Sequence, residues 1–321
     1  TMTTYIIRRV LWGIVVLFLV SLIVFFSLRL IPGDPVTIWA GQQAGSGGGM
    51  SEEMLDQLRV KYGLDKPVPI QYLNWVKGIF QGDLGESIRY KDDVGDILKE
   101  RLPVTLVLGL VATVISTVLG VFFGLIAAIR RGKWIDTLVT VLSYIGLCIP
   151  VFLAAFVLMY VFALKLRWLP FIGYELPWED FGKSVKQGVM PIICLAVTPL
   201  AVTARQMRSS VLEVNNMDYV RTAWSKGLRE RVVVTRHILK NSLIPVITLL
   251  GISIGIIFGG SVIVEQVFNI PGMGRMLVDG IFQRDYVIIQ GGTLVIAFMI
   301  VLVNLIVDIS YGWFDPRIRY E

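Results

Sequence analysis

Six long apolar segments constrain the fold of this chain more than any other feature of its sequence. A helix needs about 20 apolar residues to cross the hydrocarbon core of a bilayer. Hydrophobic residues make up 55% of the 321 residues, above the roughly 45–50% of a soluble domain. The sequence therefore predicts an all-α integral membrane protein with six transmembrane helices. The predicted spans are 10–28, 102–129, 137–164, 189–204, 243–264 and 286–307.

The first span has a competing interpretation, because basic residues also precede the apolar run of a cleaved signal peptide. The run 10–28 is longer than a typical h-region of about 7–15 residues, and no small-x-small cleavage site follows it. We therefore interpret it as a span. In the third span Pro150 predicts a kink, and in the fourth Pro191 and Pro199 leave the helix ends poorly defined. Glycines at positions 251, 255, 259 and 260 of the fifth span predict a close approach of a neighbouring helix.

The basic residues predict the orientation of the spans. Short cytoplasmic loops of membrane proteins carry an excess of Lys and Arg, and the net charge of +6 comes from bases that cluster beside the spans. With six spans these bases share one side, so both termini are expected in the cytoplasm. This pattern explains the charge without nucleic-acid binding. The basic groups are Arg8 and Arg9, Arg130, Arg131 and Lys133, the segment 205–240, and Arg317 and Arg319.

The predicted organisation has three parts: an N-terminal end with the first span over 1–30, an extracytoplasmic helical insertion over 31–101, and a five-helix core over 102–321 with a cytoplasmic loop at 205–242. After the glycine-rich stretch 45–49, Ser51 is a candidate N-cap and Gly63 a candidate helix end. The insertion is expected to hold two amphipathic helices that pack on the outer face of the bundle or, alternatively, dock a partner. Their apolar stripes are Met54, Leu55, Leu58 and Tyr62, then Tyr72, Leu73, Val76, Ile79 and Phe80.

The residues exclude several kinds of chemistry. The chain has neither a G-x-x-x-x-G-K-[ST] phosphate loop nor a dinucleotide fingerprint after a strand. His237 is the only histidine, so a His-rich metal site or a catalytic triad with a pathway histidine cannot be assembled. Cys148 and Cys194 lie in apolar runs and are expected to be packing residues. We expect a non-catalytic membrane protein without metal, whose energy comes from an ion gradient or a separate ATPase.

Acidic residues are scarce in the spans. Asp136, Glu265 and Asp308 sit at span ends, where interfacial placement is the expected role. An ion-coupled carrier normally keeps ionisable residues within its spans, because a charge there costs about 2.5–3.5 kcal/mol and is retained for a function. The sequence therefore favours an energy source other than an ion gradient. The ion-coupled alternative requires Glu265 or Asp308 to be buried and to titrate.

The segment from Arg205 to Lys240, here the basic island, carries eight bases and three acids. Asp218 is predicted to cap a short helix that ends at Gly227, and a second helix is predicted over 228–241 before Pro245 opens the next span. Two short helices joined at a glycine could transmit force from a partner protein. An amphipathic segment resting on anionic lipid is equally compatible with the residues.

The island also resembles a known family. Its sequence MDYVRTAWSKGLRERVVVTRHILKNSLIPVIT, starting at Met217, is similar to the cytoplasmic loop of ABC-importer permeases of the oligopeptide/dipeptide/nickel branch. The general pattern is Glu-Ala-Ala, three residues, then Gly; here Arg221-Thr222-Ala223 is followed by Gly227 at that spacing, and Pro245 lies further on. The form Val-Arg-Thr-Ala-x-x-x-Gly and the pair Arg236-His237 are typical of the peptide branch.

Further motifs resemble the B-type subunit of this branch. They are spread from the end of the first span to the C-terminal region, so the resemblance covers essentially the whole chain. The motifs are RLIPGDP from Arg29, YGLD from Tyr62, GDLG from Gly82, Val264-Glu265 with Phe268, IPGMG from Ile270, RDY from Arg284, Asp308, and Asp315-Pro316-Arg317.

The resemblance implies a type I ABC importer permease fold in the inner membrane of a prokaryote. It implies a homologous C-type permease, two cytoplasmic ATPases that bind ATP and Mg, and an extracytoplasmic solute-binding protein, with no cofactor in this chain. Peptides are the expected substrates, and nickel chelates or opines the alternative. An ion-coupled carrier and a non-transport scaffold are competing hypotheses. The implied coupling helix comprises Asp218, Tyr219, Val220, Arg221, Thr222, Ala223, Lys226 and Gly227.

Residues of the substrate pathway are less defined by the sequence. Polar side chains near the predicted pathway are candidates, although helix packing explains such residues equally simply. The candidates are Ser253, Ser261, Gln266 and Gln290.

Overall fold

The computed structural model describes residues 2–44 and 51–314, which form helices joined by turns, with an isolated antiparallel bridge between Glu86 and Asp93. The predicted glycine stretch 45–49 and the C-terminal motif at Asp315 lie outside the described residues, as do Arg317 and Arg319. The helices are α1 (Met2–Leu30), α2 (Pro35–Ala44), α3 (Glu52–Lys61), α4 (Val68–Gln81), α5 (Val94–Ile129), α6 (Trp134–Cys148), α7 (Val151–Leu158), α8 (Phe181–Asn215), α9 (Asp218–Ser225), α10 (Glu230–Val232), α11 (Lys240–Val267), α12 (Met273–Gln283) and α13 (Tyr286–Phe314).

Five membrane-spanning candidates are present among the described residues, and the pair α6–α7 makes a sixth if it is one span. This confirms the all-α membrane fold. The pair is bent by 105°, which is far sharper than the kink predicted at Pro150. The cause is local: α6 ends at Cys148, Ile149 is extended, and Pro150 begins α7 as its N-cap. A proline at the start of a helix has no N–H to leave unpaired, so the chain can turn there at little cost.

The fourth and fifth spans exceed their predicted lengths the most. Helix α8 covers 35 residues rather than 189–204, since Asp180 caps its start by accepting a 3.0 Å hydrogen bond from the Lys183 N–H and the helix continues through both internal prolines. In the basic island, α10, a π-helical segment Val233–Leu239 and α11 follow one another without a break. The second short helix predicted over 228–241 is therefore the start of the fifth span, and Pro245 lies inside α11.

The chain divides into two compact units. The first comprises residues 1–10, 105–270 and 300–321, and the second comprises 11–104 and 271–299. These boundaries cut across the predicted three-part organisation. Residues 94–101, at the end of the predicted extracytoplasmic segment, form the first part of α5.

In the first unit, neighbouring helices approach α8 at glycines. A Cβ at Gly120 of α5 would lie 2.7 Å from Thr203 Cβ, and one at Gly124 would lie 2.7 Å from Met207 Cβ. A Cβ at Gly146 of α6 would lie 3.3 Å from Ala201 Cβ. Missing side chains thus let the backbones approach closely, which is a common way to pack membrane helices.

The glycines predicted to mediate close packing on α11 behave differently. A Cβ at Gly251 would lie 3.0 Å from Asn304 Oδ1, and one at Gly260 would be 3.8 Å from Leu195. Gly255 and Gly259 have no described atom of the chain within 4 Å of such a position. Close contact within the chain therefore applies to Gly251 alone.

Two of the three acids expected at the membrane interface are buried in the first unit. Asp136 at the start of α6 forms a bidentate ion pair with Arg208 of α8. The distances are 2.6 Å from Nε to Oδ1 and 2.9 Å from Nη2 to Oδ2. It also accepts a 3.0 Å bond from the Gly132 N–H. Asp308 is partly exposed and pairs with Arg9 at 3.1 Å. Asp136 is therefore buried against a cationic partner that lies 72 residues away in the chain, and its placement at the membrane interface stays a prediction.

The second unit contains the predicted amphipathic helices. Ser51 caps α3 by accepting a hydrogen bond from the Met54 N–H at 3.4 Å, and Gly63 follows the helix with a positive φ, as predicted. Leu55 is buried against α2, a helix that the sequence did not reveal, whereas Met54 is 50% exposed and lies outside the apolar contact.

Between the fifth and sixth spans the sequence predicts only a turn over 271–285, but this segment contains the amphipathic helix α12. Met273 and Met276 of this helix are buried with Val94 and Leu98 of α5 and Ile288 of α13. The helix repeat is short and interrupted by glycines, which explains why the sequence pattern alone suggested a turn.

Candidate functional site

Helix α9 is the part of the basic island that stands apart from the spans. The chain leaves α8 at Asn215, and Met217 is the N-cap of α9 without a side-chain cap hydrogen bond. Asp218, predicted as the cap, is instead the first helical residue. Its exposed carboxylate lies 3.7 Å from Arg221 Nη1, and a negative charge in the first turn suits the helix dipole.

The inner face of α9 is anchored by two apolar side chains one turn apart. Val220 and Ala223 are buried, and Tyr219 Oη accepts a 3.0 Å hydrogen bond from Asn241 Nδ2 of α11. Displacing α9 would expose these side chains to water, so the helix is held to the first unit by packing. The buried cluster around them contains Ala128, Met207, Val211, Val233, Ile238 and Val246.

The outer face of α9 is open. Asp218, Arg221 and Thr222 are exposed, and the aromatic rings of Tyr219 and Trp224 are each 43% exposed at the two flanks of this face. Aromatic and arginine side chains on a fixed helix are the kind of surface that protein partners bind.

The end of α9 depends on Gly227. The helix ends at Ser225, Lys226 is its C-cap, and Gly227 adopts a left-handed φ of +71°. The Gly227 N–H donates to the Trp224 carbonyl at 2.9 Å. Glycine adopts this conformation without the steric cost that a Cβ would add. The turn at Gly227 leads directly into α10 and the π-helical segment. Helix α9 is therefore joined to the fifth span by only a few residues.

The sequence-predicted pathway residues are divided between the two units. Ser253 and Ser261 are buried on α11 in the first unit, where Ser261 Oγ donates to the Phe258 carbonyl at 2.8 Å, and Gln266 is half-buried. Gln290 lies buried on α13 in the second unit. The hydrogen bond of Ser261 to its own helix is a packing role, and the pathway role of these residues stays a prediction.

Glu265 is the residue whose setting sequence reasoning missed. Its side chain is 0% exposed, and Thr105 Oγ1 donates a 2.7 Å hydrogen bond to Oε1. Glu265 is thus buried within the first unit, and its placement at the membrane interface stays a prediction. Thr105 lies 160 residues earlier in the chain. In the sequence, Glu265 was marked only by its position as a charged residue at the end of an apolar run. Burial meets one of the two conditions that the ion-coupled alternative sets.

Comparison with known proteins identifies the family. Residues 120–320 match the family described as binding-protein-dependent transport system inner membrane component, and residues 2–109 match the N-terminal part of such components. The oligopeptide transport system permease protein AppB of Bacillus subtilis is 39% identical over 322 residues, covering 99% of this chain and all of that protein.

A protein of Brucella suis with the provisional name of a peptide permease is also 39% identical, covering 99% of both chains. A crystal structure described as an amino acid ABC transporter with histidines matches 70% of this chain and 94% of that one, with a TM-score of 0.46 and 17% identity, a likeness too distant to bear on function. The two family matches and the full-length relatives agree. This chain belongs to the family of inner-membrane components of binding-protein-dependent transport systems.

Proposed function

We propose that this chain is the B-type permease subunit of an ATP-driven importer of di- or oligopeptides. The observation that carries the proposal is the full-length similarity, at 38–39% identity, to permeases named for peptide transport. The same similarity favours peptides over nickel chelates and opines. The scarcity of acids in the spans agrees with energy that enters from outside this subunit.

The proposed assembly contains a homologous C-type permease, two cytoplasmic ATPases and an extracytoplasmic solute-binding protein. ATP and Mg are bound and hydrolysed by the ATPases, and this chain supplies one half of the pathway. Both termini and α9 then lie in the cytoplasm, in agreement with the bases beside the spans. Ser253, Ser261, Gln266 and Gln290 remain the proposed pathway residues.

In this proposal α9 is the coupling helix, and its residues have two different tasks. The exposed Asp218, Tyr219, Arg221, Thr222 and Lys226 contact a groove of an ATPase. The buried pair of the inner face, Val220 and Ala223, passes the displacement to the cluster that includes α8 and the π-helical segment, and Gly227 sets the turn towards the fifth span. Closure of the ATPases then shifts the permease between two packed arrangements.

The test is reconstitution of the complete complex in proteoliposomes. Uptake of a labelled dipeptide is measured with and without ATP, the binding protein and a proton gradient, and a nickel chelate serves as the competing substrate. The proposal requires that peptide uptake depend on both ATP and the binding protein. Uptake that a proton gradient drives without ATP would contradict it and would direct attention to the buried Glu265.

The coupling role is tested on the outer face of α9. Arg221→Ala and Trp224→Ala truncate exposed side chains of this face, so the permease should fold normally while ATPase retention on pull-down and peptide uptake both fall. Trp178→Ala, which removes an exposed ring outside α9, is the matched control. Equal effects of all three substitutions would argue against a specific role for α9.

A further inference from the structure

A cavity of about 400 Å³ lies within the second unit. It is bounded by α1, α4, the turn over 83–93 and the start of α13. Ligand pockets span roughly 300–1,000 Å³, and one water occupies about 30 Å³ of liquid, so the space suits a small organic molecule. Its wall includes Gln290 but no residue of α9 or α11, so the coupling function does not account for it.

Hydrogen-bond donors without acceptors gather around this cavity. The atoms are Arg29 Nε, Trp75 Nε1, Tyr286 Oη and Gln290 Nε2, which are buried and have no hydrogen-bond partner in the described part of the chain. Tyr286 is 5% exposed and Gln290 is 3% exposed. Of the five such side-chain atoms among the described residues, these four belong to residues that line this one cavity. Because buried polar groups are normally paired, their concentration here indicates a binding function.

The cationic member of this group is held in place. Arg29 Cζ lies 3.7 Å from the ring centroid of Phe25, and Nη2 donates to Gln71 Oε1 at 3.2 Å. Phe25 in turn stacks on Trp75, with ring centroids 5.7 Å apart and an interplanar angle of 26°. Arg29 forms no ion pair with any described acid. The guanidinium is thus oriented by neutral partners, and its charge is left for another group.

The acids on the cavity wall are already engaged. Glu86 pairs with Lys61 at 2.8 Å. Asp83 and Asp93 each accept a hydrogen bond from the backbone N–H two residues ahead, at 2.8 Å and 2.6 Å. The unmet hydrogen-bonding capacity of the wall therefore lies with its donors, and a ligand that fits must supply acceptors.

We propose that this cavity binds a small organic carboxylate, with the carboxylate at Arg29 and the neutral donors of Trp75, Tyr286 and Gln290 completing its hydrogen bonds. An ionised carboxylate offers about four lone-pair sites, which equals the number of unpaired donors, and guanidinium matches carboxylate geometry. The rings of Phe25 and Trp75 provide apolar surface for the body of the ligand. The site shares no residue with α9 and gives the second unit a ligand of its own.

The experiment measures equilibrium binding of radiolabelled probes to the complete permease–ATPase complex in nanodiscs, without ATP and without the binding protein, so that a failure of transport does not affect the result. The probes are the dipeptide Phe-Ala, its C-terminal amide and hexanoate. We expect saturable binding of a free carboxylate and at least about 10-fold weaker binding of the amide, since a charged hydrogen-bond partner is lost. The dipeptide and hexanoate arms distinguish a peptide terminus from a lipid-derived carboxylate.

The variants test the assignment residue by residue. Arg29→Gln should weaken binding at least about 10-fold, whereas Arg89→Gln, an exposed arginine outside the cavity wall, should leave it unchanged. Gln290→Glu places a carboxylate among the donors, so it should abolish probe binding and raise the thermal midpoint of the empty complex. This second variant remains informative if Arg29→Gln fails to fold.

Three outcomes would overturn the proposal. They are equal affinity for the dipeptide and its amide, the absence of saturable binding for every probe, and equal losses in Arg29→Gln and Arg89→Gln.

Discussion

Gly227 is needed for its backbone conformation and not for space around a side chain. Its φ is +71°, yet a Cβ built there would meet no described atom within 4 Å. Substitution therefore costs conformational energy without a steric clash, about 1–2 kcal/mol for an ordinary L-residue in the left-handed region. The turn from α9 into the fifth span is expected to resist β-branched residues and to accept those that tolerate this region.

We predict that Gly227→Val lowers peptide uptake while much of the ATPase activity survives, because α9 would be misaligned with the fifth span. Gly227→Asn is the matched control, since asparagine adopts the left-handed region more readily. Uptake and ATP hydrolysis in proteoliposomes give the two readouts. Wild-type uptake in Gly227→Val would show that the turn does not determine coupling.

Asp34 gives the second unit a pH dependence. Burial alone would raise the pKa of Asp34, but the hydrogen bond from Arg59 Nε at 2.8 Å and further bonds from Val36 and Thr37 bring it below its ordinary value of 3.8. A carboxyl with a lowered pKa in the folded state stabilises the fold above its unfolded pKa. That contribution is lost as the pH falls through the folded value.

We predict that acidification from about pH 6 to about pH 3 lowers the thermal midpoint of the purified chain, and that part of this drop is absent in Asp34→Asn, whose side chain does not titrate. Differential scanning fluorimetry at a series of pH values measures both. A pH profile identical in the two proteins would exclude Asp34 as a contributor.

At the scale of helices, the ion pair between Asp136 and Arg208 fastens the start of α6 to α8. Both oxygens of the carboxylate are used, and the Asp136 side chain is only 8% exposed. Removing one partner of a buried pair leaves an uncompensated charge, which costs about 3–5 kcal/mol, while replacing both partners is much less harmful.

We predict that Arg208→Gln destabilises the chain by about 3 kcal/mol, the lower end of this range because Arg208 is partly exposed. The double variant Asp136→Asn with Arg208→Gln should recover a substantial part of that loss. A double-mutant cycle from chemical unfolding in detergent measures the coupling. Additive effects of the two single changes would show that the pair is energetically unimportant.

The close approach of α5 to α8 leads to a matched pair of glycine substitutions. A valine at Gly124 would collide with the backbone carbonyl of Ala204 and with Met207, so Gly124→Val should destabilise the chain by about 1–3 kcal/mol. Gly255→Val on α11 meets open space and should change the stability of the isolated chain by less than about 0.5 kcal/mol. Thermal unfolding of both variants compares them; similar losses would contradict this assignment of contacts.

The elements also show what the sequence could and could not predict. Long apolar runs located the spans, and the Ser51 cap and Gly63 located the ends of α3, because these signals are local. The 35-residue length of α8, the burial of Asp136 and Glu265, and the four donors around the cavity depend on partners far along the chain. Local periodicity carries no information about such contacts, so these features emerged only from the structure.

For the whole molecule, the path of the bent pair α6–α7 determines the number of spans. If the pair is one span, its two ends lie on opposite sides and the two termini share one side of the membrane. If it turns back as a re-entrant loop, its two ends share a side. The basic residues at 130, 131 and 133 favour a cytoplasmic start of α6.

We predict that the pair crosses the membrane. In a background without Cys148 and Cys194, a cysteine at Lys133 should react with membrane-impermeant maleimide only after the cells are opened, and one at Arg167 should react in intact cells. The same accessibility at both positions would indicate a re-entrant loop and five spans.

Helix α8 meets its neighbours at several separate levels, through Ala201 with α6, Thr203 and Met207 with α5, and Arg208 with Asp136. Each added residue rotates the following part of an α-helix by about 100°. One insertion between Thr203 and Met207 would therefore turn Met207 and Arg208 away from their partners while Ala201 and Thr203 keep theirs. The number of residues between these contacts is thus constrained as well as their identity, and an insertion there would need a local change of helical pitch, such as the π-helical segment Val233–Leu239 shows.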